Sequence, residues 1–378
     1  MKGWRWILGG GLLIIGVIVF VWGGTSPRPI QIGFAGSLTG RISDLSIDSR
    51  DGVMLAVEET NRAGGIHGRP VKLIVKDDHN NAHEAIRVDR ELISQGVSAI
   101  IGHVTSSMTV AALPQINAAR MLLISPTATN PRISGLDDYF IRVIPDLADT
   151  ASLQADYARR KLHLRRIAIL YDMSNAEYAM QWTTYFKFRF EKLGGRVIDI
   201  DRFHTNREAD FWDTIQAMLA GHPDGVLIVA GAVDSALFSQ QVRMQNDHIP
   251  ILSSGWAMTP DFINHGGPAA EGVVFAHPAD LESRSSNYLK FKQAFYKRFG
   301  RLPGYAAAYG YEAVRVLFRG LAAGRRPEEI KQAIINHRVF DGLWGHFVID
   351  ENGDTINESN IITVQNGKFV KVDWKDEQ

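Results

Sequence analysis

The feature that most restricts how this chain can fold is an alternation that runs twice. Short apolar, β-branched runs at 30–35, 71–76, 99–102 and 121–124 are each followed by a loop or an amphipathic stretch. Parallel strands covered by helices read this way, because such strands are buried on both faces while each connecting helix buries only one stripe. After a helical segment at 146–161 the pattern restarts, with strands expected at 166–171, 197–201, 225–230 and 249–252. Helices at 177–193, 211–219 and 235–243 separate them. At 378 residues the chain exceeds the roughly 250 at which a single core stops growing. The expected fold class is therefore α/β, with two doubly wound parallel-sheet lobes and a crossing at Pro145. Two further long helices, at 280–300 and 306–323, are joined by a Leu302-Pro303-Gly304 turn. Short strands are expected across 342–372, with Glu351-Asn352-Gly353-Asp354 as a turn.

Composition removes several classes of function. Lys plus Arg and Asp plus Glu both number 41, so no net field draws the chain onto nucleic acid, and a small molecule is the better partner. With no cysteine, the chain has no disulfides, thiolate metal sites, thiol nucleophiles or lipid-bearing cysteine. Ahead of the α/β pattern, Lys2 and Arg5 lead into an uncharged apolar run at 6–22. Positive charge on the short leading side predicts export of everything after Thr25. As a helix this run would reach about 25 Å, and Trp4, Trp6 and Trp22 suit the membrane interfaces. Residues 1–26 are thus expected to form one apolar helix, an uncleaved anchor that tethers an extracytoplasmic protein to the inner membrane. A signal peptide cleaved near Val21-Trp22-Gly23 is the alternative.

Open parallel sheets bind ligands at the carboxyl ends of their strands, where helix N-termini direct free N–H groups at an anion. Three small, hydroxyl-rich loops are expected there. They are Gly36-Ser37-Leu38-Thr39-Gly40, Gly102-His103-Val104-Thr105-Ser106-Ser107 and Ser125-Pro126-Thr127-Ala128-Thr129-Asn130-Pro131. Ser106 or Ser107 would start a helix, so its hydroxyl either caps that helix or is shared with a bound carboxylate. The second hydroxyl cluster, ending the adjacent strand, faces the same crevice and favours the carboxylate.

The run Ile32-Gly33-Phe34-Ala35-Gly36-Ser37-Leu38-Thr39-Gly40 and the stretch at 52–70, ending Asn61-Arg62-Ala63-Gly64-Gly65-Ile66-His67-Gly68-Arg69-Pro70, resemble the periplasmic branched-chain (leucine/isoleucine/valine) amino-acid-binding proteins. These are type I solute-binding proteins of ABC transporters. Asp77-Asp78, the loop at 101–107 and the stretch at 124–131 fit the same family, as do, more weakly, Asp224-Gly225-Val226, Ala270-Glu271-Gly272-Val273 and Phe340-Asp341-Gly342-Leu343-Trp344-Gly345. The likeness covers nearly everything after the leader.

The resemblance implies two lobes joined by three crossings, hinged over a small ligand that is handed to an ABC importer. Residues 27–145 with 278–345 would form one lobe, and 146–277 with 346–378 the other. It places the ligand carboxylate on Ser106, Thr127 and Thr129, with Ser107, Leu38 and Leu45 beside them. In the family an acidic residue and tyrosines from the second lobe hold the ligand ammonium. Here Gly255 stands where that acid belongs, Trp256 follows it, and Gly231 and Ala232 occupy the region that usually offers an aromatic. Asp172, Glu177 or Asp234 would have to substitute. Without such an acid, Trp256 and Tyr178 indicate a pocket for an aromatic or other apolar carboxylate.

The expected function is capture of a small carboxylate, an amino acid or a related organic or aromatic acid, for an ABC importer permease. A membrane-tethered ligand-sensing subunit is the alternative. An enzyme is the third reading, and it lacks a convergent acid, base and nucleophile. No cofactor is expected. His79 and His83 share the spacing of a zinc pair but have no third ligand, and are read as solvated residues at a helix start. Asp77 and Asp78 are read as structural residues capping the following helix. Half of Trp182, Tyr185, Phe186, Phe188 and Phe190 are expected in the core.

Overall fold

The computed structural model describes residues 27–205 and 211–374. The first lobe begins with β1 (Ile30–Gly36), α1 (Ser43–Arg62), β2 (Val71–Asp77), α2 (Ala82–Ser94) and β3 (Ile100–Ile101). It continues with α3 (Ser106–Ala118), β4 (Leu123–Ser125) and β5 (Phe140–Arg142). The strands form one parallel sheet in the order β2-β1-β3-β4-β5. Strand order reverses between β1 and β3, so the loops after these strands diverge and leave a crevice beyond their carboxyl ends. β5 was not evident as a strand in the sequence. It is three residues long, fully buried, and recruited by pairing with β4.

The chain then crosses into α4 (Leu147–Arg160) and a second series. This comprises β6 (Arg166–Asp172), α5 (Ala176–Lys192), β7 (Arg196–Phe203), α6 (Phe211–Ala220), β8 (Gly225–Val229), α7 (Ala232–Gln245), β9 (Ile251–Ser253), α8 (Pro260–Gly266) and β10 (Val274–His277). Again the order reverses about the first strand, with β7 on one side of β6 and β8 on the other. Trp182, Phe186 and Phe190 of α5 follow one another at four-residue spacing, and all three are buried in the core of this lobe.

The next elements return to the first lobe as α9 (Ser286–Phe299), α10 (Tyr305–Leu321) and α11 (Pro327–His337). α10 lies against α1 so closely that a Cβ on Gly52 would stand 1.9 Å from the Ala307 carbonyl oxygen. β11 (Val339–Asp341), β12 (His346–Ile349) and β13 (Thr355–Ile356) make a small antiparallel sheet. The Thr355 hydroxyl donates to the Arg142 carbonyl at 2.6 Å, and the buried Arg142 guanidinium pairs with Asp354 at 2.7 Å. Finally β14 (Asn360–Gln365) and β15 (Lys368–Val372) add an antiparallel edge to the second sheet beside β10.

Two expectations are corrected. Among the described residues no helix is long and apolar enough to cross a membrane, so the structure supplies no tether to the inner membrane. The apolar run at 6–22, on which that tether and the leading apolar helix rested, lies outside the described residues. Secondly, the helix after Asp77-Asp78 is capped by Asn81, whose side chain accepts from the His83 and Glu84 N–H groups. The two aspartates instead tie loops together. Asp77 accepts from the Leu38 N–H at 2.9 Å, and Asp78 from the Ser37 hydroxyl at 2.6 Å.

Candidate ligand cleft between the lobes

The crevice at the switch point of the first sheet holds the hydroxyl loops. Thr105 is the N-cap of α3 yet makes no capping bond through its side chain, and Ser106 opens the helix. The Ser106 Oγ accepts from the Thr129 N–H at 3.2 Å, which leaves its own proton to give. Thr129 Oγ1 is buried with no partner among the described residues. The Thr127 hydroxyl, by contrast, is spent on the Val104 carbonyl at 2.5 Å. Two free hydroxyl donors at a helix N-terminus are what a carboxylate requires.

A buried charge cluster holds these loops in place. The Ser125 hydroxyl donates to the His103 carbonyl at 2.7 Å, joining the loop after β4 to the loop after β3. The His103 ring sits between Asp78, at 2.7 Å, and Asp89, at 3.3 Å. Burial alone would lower its pKa, but the charge of Asp89 and hydrogen bonds to both aspartates outweigh this and raise it to about 10. The imidazolium is therefore a fixed charge beneath the site.

The second lobe closes over these loops. A cavity of about 30 Å³ is lined by Leu45, Ser106, Thr127 and Thr129 from one side and by Asn175, Tyr178, Trp182 and Trp256 from the other, with His277 at the end of β10 and Tyr305 at the start of α10. That is room for about one water molecule, so the lobes stand closed and a ligand of amino-acid size enters only as they part. The Tyr178 hydroxyl accepts from the Trp256 N–H at 3.2 Å, and the two rings meet edge to face at 5.9 Å.

Polar contacts seal both rims. On one side Ser107 Oγ accepts from the Glu177 N–H, and the Ser107 N–H donates to Asn175 Oδ1, both at 3.1 Å. The Asn130 amide donates to the Glu177 carboxylate at 2.8 Å. On the other side Arg41 pairs with Asp234 at 2.5 Å, and the Thr259 hydroxyl donates to Asp44 at 2.7 Å. Burial pushes the Asp44 carboxyl up to about 6, against the lowering effect of Thr259. Asp234 is also raised, by burial, although Thr205 and Arg41 oppose it.

Of the residues singled out in the sequence, Ser106, Thr127, Thr129, Leu45, Tyr178 and Trp256 thus meet at one cavity. Ser107 and Asp234 lie at the rims, engaged by the opposite lobe. Leu38 does not line the cavity, and its loop is held by Asp77. His277 and Tyr305 were not anticipated. They come from β10 and the start of α10, and neither sits in a loop that the strand pattern pointed to.

With this geometry in hand, the wider likeness of the chain becomes decisive: the family described as periplasmic binding protein matches residues 29–368. The chain belongs to that family. It is a solute-binding protein, not an enzyme. Among curated periplasmic binding proteins it is similar to a leucine-, isoleucine-, valine-, threonine- and alanine-binding protein of Pseudomonas aeruginosa, with 24% identity over 87% of each chain. Among solved structures, a leucine-binding protein from Thermotoga maritima superposes with a TM-score of 0.83 and 27% identity, over 91% of this chain and 98% of that one. A branched-chain amino-acid substrate-binding protein from Streptococcus pneumoniae, solved with isoleucine, gives the same TM-score at 24% identity, over 91% of this chain and all of the other.

Proposed function

We propose that this periplasmic binding protein captures a small carboxylate, an amino acid or a closely related organic acid, outside the cytoplasm, and delivers it to the permease of an ABC importer. The observation that carries this reading is the pair of uncommitted hydroxyls, Ser106 and Thr129, at the α3 N-terminus inside a cavity walled by both lobes. Relatives named for binding branched-chain amino acids support the solute class. The expected division is residues 27–145 with 278–345 and 146–277 with 346–378. Membership of β14 and β15 in the second sheet supports its C-terminal part, while the pairing of β12 and β13 with β11 favours a third crossing later than 345, just before β14.

Mass spectrometry of the small molecule released on denaturing the purified protein tests the solute class, and recovery of a carboxylic acid is expected. Charge-assisted hydrogen bonds of this kind contribute about 1.5 to 3 kcal/mol each. Ser106→Ala and Thr129→Val are each expected to weaken binding of that molecule about ten- to a hundred-fold in calorimetric titration. Unchanged affinity in both variants would remove the carboxylate from this place.

A further inference from the structure

We propose, resting on the reading of the cleft as the solute site, that its ligand is a carboxylate without an ammonium group, a 2-oxo, 2-hydroxy or aromatic acid, and that His277 sets this preference by donating a hydrogen bond from Nε2. A Cβ on Gly255 would stand 2.7 Å from His277 Cδ2 and 2.9 Å from the Ala276 carbonyl oxygen. The place into which a side chain at 255 would grow is therefore filled by an imidazole from β10.

The state of that ring follows from its contacts. The Ala279 N–H donates to His277 Nδ1 at 3.0 Å, so Nδ1 carries no proton. The neutral ring then bears its proton on Nε2, which has no hydrogen-bond partner among the described residues. The ring lies 4.2 Å from Tyr305, centroid to centroid, and lines the cavity. Burial pushes its pKa down to about 3, with no carboxylate opposing this, so it stays neutral. An N–H donor faces an acceptor well. An ammonium group, which has donors only, gains nothing from it.

Among the described residues, no acid replaces the missing counter-charge. The one carboxylate among them that lines the cavity is Asp146, and it is occupied elsewhere. Its Oδ1 caps α4 by accepting from the Ala148 N–H at 2.9 Å, and its Oδ2 lies 3.3 Å from the Ser134 hydroxyl and 3.7 Å from Arg142. Asp172 accepts from the Ser174 and Thr205 N–H groups, Glu177 from Asn130, and Asp234 from Arg41. A buried ammonium without a partner is strongly disfavoured. One end of the cavity thus offers hydroxyl donors for a carboxylate, and His277 offers a single neutral donor for an oxo or hydroxyl oxygen.

The test is calorimetric titration of the purified protein with matched pairs: leucine against 4-methyl-2-oxopentanoate, phenylalanine against phenylpyruvate, and benzoate as the acid without a second acceptor. Within each pair the oxo acid is expected to bind at least a hundred-fold more tightly. His277→Phe is expected to weaken oxo-acid binding about ten-fold or more, to change benzoate binding little, and to be rescued in part by His277→Gln, which restores a donor. Leucine or phenylalanine binding as tightly as its oxo partner would overturn the preference while leaving the carboxylate site standing. If none of the five acids binds, the carboxylate site falls as well.

Discussion

The Asp78–His103–Asp89 cluster illustrates how one buried residue can govern a binding loop. His103 is charged in the folded protein up to about pH 10 but has an ordinary value of 6.5 when unfolded. Its contribution to stability is fully present below 6.5 and is lost as pH rises through about 10. The thermal midpoint of the protein is expected to fall across that window, and His103→Gln to fall less steeply over the same range. Parallel slopes would show that the imidazolium is not what holds the loops. Some residues of the cleft were legible in the sequence because their type and position agree. Ser106 and Thr129 are hydroxyls directly after buried strands, where open sheets present ligands. Others were not. Asp234 reads as a possible counter-charge until its bond to Arg41 across the rim is seen, and His277 carries no local signal for its tautomer, which depends on a backbone N–H two residues on.

Among the elements, α1 reaches across to the second lobe through its first turn. Its first turn places Asp44 under Thr259 of the second lobe, and Asp261 and Asp48 add negative charge nearby. Burial raises Asp44 from its ordinary 3.8 to about 6 in the closed form, and hydration of the carboxyl as the lobes part is expected to return it toward that ordinary value, so closing is expected to take up a proton. Lower pH therefore favours closure. Ligand affinity is expected to rise a few-fold as pH falls from above 6 to below it, and Asp44→Asn to flatten the dependence. A rise in affinity toward alkaline pH would contradict this. Farther along, α1 meets α10 through Gly52, where any side chain would strike the Ala307 backbone. Gly52→Ala is expected to cost about 1 to 3 kcal/mol in denaturant unfolding, by overpacking a contact that backbone cannot yield. The long periodic helices and four-to-eight-residue strands were evident in the sequence. β5 was not, and neither was β10: each joins its sheet through pairing with strands distant in sequence or across a loop, β5 with β4 and β10 with β9 and β14.

Across the whole molecule, the two rims and the cavity form one closure equilibrium. Rim contacts such as Arg41–Asp234 and Asn130–Glu177 exist only when the lobes are together, so they set how much of the protein is competent to hold ligand. Asn130→Ala is expected to weaken binding several-fold without touching the cavity, and to enlarge the radius of gyration in solution scattering without ligand. An unchanged radius with unchanged affinity would show that this rim does not bias closure. The division into two α/β lobes, the crossing near Pro145 and the loops that carry Ser106 and Thr129 were determined by sequence alone, because hydrophobic periodicity is local and sheets of this kind put their sites at strand ends. Which acids stay free, which hydroxyl keeps its proton and which ring fills the space beside Gly255 were decided only by tertiary structure. Those properties belong to contacts between residues tens to hundreds of positions apart, and no local pattern encodes them.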